Sequence, residues 1–141
     1  MINKEMAAEY LARALGCLCE ARAALRRNDA PGTVRRSQEA LELAVKALLR
    51  ALAIEYPRAH DVSDALLEHQ GRLPRALKAR VEELARLVAD LASVRGPAFY
   101  GYEREGIPAS RAFKLDYAQE VYGRVRRFVK LIERCLRPFI A

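Results

Sequence analysis

Tyr10, Leu11, Ala14, Leu15, Leu18, Ala21 and Leu25 recur at steps of three and four residues, while Arg13, Glu20, Arg22 and Arg26 fall elsewhere on the wheel. That spacing gathers the apolar set on one face of a helix and predicts a first helix from Ile2 to Arg27. Asn28-Asp29-Ala30-Pro31-Gly32-Thr33 then mixes capping residues with proline and glycine, which predicts a short loop. From Thr33 a second helix follows Val34, Ser37, Leu41, Ala44 and Leu48, antiparallel to the first. Ala40, Leu43, Ala47 and Ile54 form a second apolar stripe beside it. A helix with two apolar sides is either wrapped by neighbours of its own chain or buried against a second copy, and the pattern leaves both open.

Tyr56-Pro57-Arg58-Ala59-His60 interrupts the helix, and Asp61-Val62-Ser63-Asp64 reads as the capped start of a short helix through Glu68, closed by Gly71. A third long helix is predicted from Pro74, a favourable first-turn residue, along Leu77, Val81, Leu84, Leu91 and Val94 to Arg95-Gly96-Pro97. The connection from Gly96 to Lys114, about 18 residues, has a length that goes with function or mobility more often than with an inert link. Ala118, Val121, Tyr122, Val125, Ile132 and Leu136 mark a final helix, stopped by Pro138. No run alternates as a strand does. The expectation is an all-α protein, an up-down bundle of four main antiparallel helices plus one short helix, in a single domain over residues 1–141.

Composition narrows the class. A chain of 141 residues with 52% hydrophobic and 30% charged residues can bury its own core, which excludes a disordered or low-complexity protein. Cys17, Cys19 and Cys135 are odd in number, and the first two are too close on a helix to face each other, so free thiols in a reducing compartment are expected. His60 and His69 lie far from the Cys17/Cys19 pair and there is no Cys-x-x-Cys, so neither a metal site nor a cofactor is expected. The charged start of the chain lacks the apolar core of a signal peptide, and no apolar run reaches the roughly 18 residues of a membrane span. A cytoplasmic protein without a membrane partner is the expectation. The net charge of +7 favours an anionic partner: RNA, a nucleotide or an acidic protein. Between Arg104 and Arg137 nine basic residues face four acidic ones, so most of the excess lies in the last quarter of the chain.

The segment Val94 to Glu103 fits a purely structural role least well. Arg95 offers a planar, permanently charged fork for phosphate, although a cation in a last turn also neutralises the carbonyl end of its helix. Tyr100 and Tyr102, expected in a glycine-flanked turn, can stack on a base or contact a partner, while Phe99 is expected in the core. His60, Asp61 and Ser63 do not make a hydrolytic triad, because capping accounts for the last two; His60 is expected to hydrogen-bond across the bundle. Arg126, Lys130 and Arg137 share a helical stripe with Glu133, the pattern of an ion-paired, solvated face.

Three segments carry a family resemblance: Arg36-Ser37-Gln38-Glu39-Ala40-Leu41-Glu42-Leu43-Ala44-Val45-Lys46-Ala47-Leu48-Leu49, then His60-Asp61-Val62, then Arg95 followed by four residues, Tyr100 and Tyr102. In this order they resemble the HEPN family of small helical bundles over nearly the full chain. The resemblance implies a homodimer whose signature segments face each other and, in many relatives, a metal-independent ribonuclease using an arginine and a histidine. Arg95 and Tyr100 match those two positions. The chain departs from the pattern at Tyr100, where the histidine would stand, and at Gly96, where active members commonly carry a polar residue. An ordinary phenol, with pKa near 10, is ionised to only about one part in a thousand at pH 7, so it is a poor general base. Some relatives are toxins paired with a nucleotidyltransferase that transfers AMP to the tyrosine matched by Tyr102. The resemblance thus implies a protein that binds or acts on RNA or nucleotides beside a nucleotidyltransferase partner; the alternative is a catalytically inactive interaction or small-ligand-binding module.

Overall fold

A computed structural model gives the architecture and describes residues 3–140. The protein is 78% helical with no strand among the described residues, so the all-α expectation holds, and four of its eight helices are long. The predicted start at Ile2 lies outside the described residues; α1 spans Lys4–Arg26, with the Asn3 carboxamide oxygen accepting from the Met6 N–H at 2.9 Å. Asn28 adopts a left-handed conformation, φ 63°, to close it.

The next helix, α2, spans Ala30–Ala51, starting earlier than the apolar pattern suggested because Asp29 is its cap. The Asp29 carboxylate accepts from the Gly32 N–H at 2.9 Å, and Thr33 Oγ1 donates to the Asp29 carbonyl at 2.7 Å. After Ala53, also left-handed, come α3 (Ser63–Glu68), a tight turn at Gln70–Arg72, and α4 (Arg75–Lys78). The third long helix expected from Pro74 is broken at Ala79 and Arg80; α5 starts at Val81 and ends at Ser93. The break separates α4, which packs on α8 (Leu115–Ile140), from α5, which packs on α3 and α2. Apolar periodicity runs through the break unchanged, which is why it was invisible. Pro138 lies inside α8 rather than ending it, in the last turn.

α2 is the central element, touching α1, α8 and α5 as well as the short helices α6 (Arg95–Tyr100) and α7 (Ala109–Ala112). Its second stripe is mostly covered by its own chain: Ala40 and Ala47 are fully buried and Ile54, just past its end, nearly so, while Leu43 is half-buried. Neighbours of the same chain account for the buried part of the stripe. A smaller cluster of Ala30, Val34, Ala98, Phe113 and Ala118 pins α6 against the start of α2, and this cluster positions the site.

Candidate functional site

The signature segment is a turn only after Gly101, where Tyr102 leads into residues 103–106. Residues 95–100 form α6, a short helix that follows α5 after a bend at Val94. Pro97 fits in its first turn, where a missing N–H leaves no bond unmade. Gly101 ends it with φ 76°, donating to the Pro97 carbonyl at 2.7 Å. A Cβ there would lie 2.4 Å from the Ile107 carbonyl oxygen, so two separate constraints demand glycine. Tyr102 and Ile107 then exchange backbone hydrogen bonds of 2.8 and 3.0 Å around a turn at Gly106, φ 66°. The long connection is therefore largely filled with local structure.

Ala98 plugs α6 into the protein, 4% exposed, while its neighbours stand outside: Phe99 is 59% exposed and Tyr100 66%. The core position expected for Phe99 is wrong, and the reason is pinning by the smaller Ala98. The Phe99 ring carries the Arg35 guanidinium 4.9 Å above its centroid, and Arg35 donates to the Arg95 carbonyl at 3.2 Å. Tyr102, 39% exposed, stacks on the buried Phe113 at 6.3 Å, and Tyr117 leans against that ring at 6.1 Å.

Arg95 turns inward. Its Nη1 donates to Gln38 Oε1 at 2.6 Å, Gln38 Nε2 donates to Glu42 Oε1 at 2.8 Å, and Glu42 also accepts from Lys46 at 2.9 Å. His60 Nδ1 lies 3.0 Å from the same carboxylate, bearing out the expected hydrogen bond across the bundle. The Gln38 amide orientation follows from its neighbours, since a guanidinium needs an acceptor and a carboxylate a donor. Burial opposes ionisation of Glu42, but hydrogen bonds from Lys46, Gln38 and His60, with the Lys46 charge, outweigh it and hold the carboxyl below its ordinary range. Among the described residues no hydrogen bond or cation–π contact joins Arg95 to Tyr100 or Tyr102, so the three predicted site residues share a segment without converging.

Sequence reasoning missed Gln38, Glu42 and Arg35 as parts of the site. One signal was readable: Gln38 is a polar residue set among Val34, Leu41 and Val45, and it begins a ladder of four-residue steps through Glu42 to Lys46. Beside the site a cleft of about 570 Å³ opens between the end of α1, the start of α2, and Ala98, Phe99 and Ala109. Its arginines face carboxylates: Arg27 with Asp29 at 3.4 Å, Arg36 with Glu20 at 3.1 Å, Arg35 with Glu39 at 3.4 Å. Such balanced charge suits a neutral ligand or a protein segment better than a phosphate. No group of three metal-ligating side chains occurs among the described residues, and no described helix is long and apolar enough to cross a membrane.

Fold and site together define a helical-bundle protein that presents an arginine- and tyrosine-bearing helical turn against a buried polar chain on its central helix. The family model of the HEPN domain matches residues 7–135, nearly the whole chain, and the protein belongs to the HEPN family. Membership makes it a helical module of an RNA-related or nucleotidyltransferase-associated kind. Neither a curated protein nor a solved structure matches the chain.

Proposed function

We propose that the protein works as a cytoplasmic homodimer, a single HEPN domain per chain, that binds or acts on RNA or nucleotides through Arg95, Tyr100 and Tyr102 beside a nucleotidyltransferase partner. One observation carries this reading. Of the seven large hydrophobic side chains exposed among the described residues, Phe99, Tyr100, Tyr102, Leu115 and Tyr117 fall within nineteen consecutive positions. Exposed aromatic side chains grouped in one segment support an interaction site there.

Ribonuclease chemistry by the family's arginine and histidine is disfavoured for this chain. Tyr100 is a phenol where a proton-transfer group is needed, and Arg95, the cation best placed to activate it, is committed to Gln38. Tyr102 is better suited to accept a group. In that step its phenol oxygen attacks the α-phosphorus of ATP bound to the partner, pyrophosphate leaves, and the phenolic proton passes to a base of the partner. The balanced, roomy cleft beside Phe99 favours the second reading, an inactive docking or small-ligand module.

Light scattering of the purified protein, binding of labelled RNA across a salt series, and mass analysis after incubation with a nucleotidyltransferase and ATP test the proposal. A dimer with salt-sensitive RNA binding, or an AMP mass shift lost in Tyr102→Phe, supports it. A protein that neither binds RNA nor associates with such a transferase overturns it. Cleavage of RNA by the wild type that Arg95→Ala abolishes overturns the inactive-module reading.

A further inference from the structure

The ion-paired stripe expected of Arg126, Lys130, Glu133 and Arg137 is present at Lys130 and Arg137, while Arg126 has no carboxylate of the described residues within ion-pairing distance. Glu133 takes Lys130 at 3.7 Å and Arg137 at 3.2 Å. Arg124, Arg127 and Arg134 have no carboxylate of the described residues within ion-pairing distance. Counted from Tyr117, they follow at steps of seven, three and seven, so the four side chains lie within about 100° of one another on the helix and span about 25 Å of its length. Arg127 and Arg134 stand exposed on this arc and Arg124 is half-buried; the arc also carries the exposed Glu120, and Leu131 on it packs partly against the core.

At its N-terminal end the row meets the aromatic pair held by Phe113. Tyr117 is 38% exposed and Tyr102 39%. Burial first, then the carboxylates of Asp90 and Glu120 and the Tyr102 phenol, push the Tyr117 phenol up, with Arg124 opposing. The tyrosine end is thus less cationic than the arginine row. Two exposed rings followed by a row of three unpaired arginines match what a single polynucleotide strand presents, π faces on one side and a charge at every step. An acidic peptide has the charge without regularly placed bases, and a lipid surface offers headgroup charge without π faces to stack on the two rings.

We propose that Tyr102, Tyr117, Arg124, Arg127 and Arg134 form a track for single-stranded nucleic acid, with bases on the tyrosines and backbone along the arginines. The track rests on the reading that the protein handles RNA, and it extends that handling from Tyr102 along α8, beyond the Arg95 segment.

The test is fluorescence anisotropy of the full chain with a labelled oligouridine, repeated with the matching deoxy oligomer, from low to moderate salt. Glutamine keeps the helix propensity of arginine, so Arg124→Gln, Arg127→Gln and Arg134→Gln are combined, and circular dichroism verifies the fold. Three lost phosphate contacts should reduce the slope of log K against log salt by about 2. The Lys130→Gln, Arg137→Gln pair should change it by less, because Glu133 already engages both cations. Tyr117→Ala should weaken binding about fivefold or more at unchanged slope. A ribo-oligomer that binds more tightly than the deoxy one assigns the track to RNA. Wild-type binding with the same slope in the triple variant overturns the track while leaving RNA handling intact, whereas a wild type that binds neither oligomer removes both. Polyglutamate that competes as well as the oligomer, with Tyr117→Ala silent, overturns the track in favour of a protein partner.

Discussion

Gln38→Leu tests the polar chain that fixes Arg95. Gln38 is 2% exposed and makes two hydrogen bonds, at 2.6 Å to Arg95 and 2.8 Å to Glu42. Hydrogen bonds to charged partners contribute about 1.5–3 kcal/mol each. Leucine roughly conserves volume, which keeps the cavity contribution small, and an apolar side chain in that position recovers part of the loss. A net destabilisation of about 2–3 kcal/mol follows. With the unfolding entropy typical of a chain this long, that lowers Tm by roughly 7–10 °C.

The pH dependence gives the sharper signature. The Glu42 carboxyl is held below its ordinary value, so its ionised form stabilises the fold above the unfolded-state range, and that stability is lost as pH falls through the folded-state value. Gln38 is one of the groups holding it down. The gap between wild type and variant should therefore be full at neutral pH and narrow in acid, once Glu42 is protonated in both. Urea unfolding at neutral pH and near pH 3, followed by circular dichroism, measures both quantities. A gap under about 0.5 kcal/mol at neutral pH, the size of an ordinary surface substitution, or one that does not narrow in acid, refutes the reasoning.

Gly101→Ala places a Cβ at φ 76° and 2.4 Å from the Ile107 carbonyl, and should cost at least about 2 kcal/mol while disordering residues 102–107 in proteolysis. Ser37→Ala removes a fully buried hydroxyl that has no partner, and Ala is the better helix former, so thermal unfolding should show a gain of about 0.5–1.5 kcal/mol. Ala53→Gly relieves a left-handed alanine, φ 55°, at the end of α2; after the extra entropy of glycine in the unfolded chain, a gain of about 0.5–1 kcal/mol should remain in urea midpoints.

The long helices were legible because their burial is one-sided: the apolar spacing of α1 and α8 reappears in the buried positions Leu11, Ala14, Leu18, Ala21 and Val121, Val125, Phe128, Ile132. What stayed hidden involves contacts between segments far apart in sequence. Arg80 ends up 4.7 Å over the Phe128 ring, and nothing local distinguishes the break beside it from continuous helix. A core place for Phe99 follows from the tendency of a loop aromatic to plug the end of a bundle, but a helix of six residues can bury little, and Ala98 fits the small pocket at the start of α2. The chain from Arg95 through Gln38 and Glu42 to His60 bridges intervals of 57 and 18 residues and required the fold before it could be drawn. Motif order reached the right segment, then, but not the direction of its side chains.

That direction bears on how any chemistry could be assembled. Arg95 and Tyr100 are five residues apart on one helix, so their side chains leave the axis about 140° from each other. With Arg95 drawn to Gln38 on α2 and Tyr100 66% exposed, one copy does not aim both groups at a single atom. A reaction that needs both must take the arginine from one copy and the phenol from another, whereas modification at Tyr102 or binding along α8 makes no such demand. The association state therefore decides between chemistries before activity is assayed. Tyr100→His in a stable monomer should cleave no RNA, and the same substitution should matter only where two copies bring residue 100 of one against Arg95 of the other. Cleavage by a demonstrably monomeric Tyr100→His protein would show that Arg95 swings free of Gln38, and would undo the geometric argument at its first step.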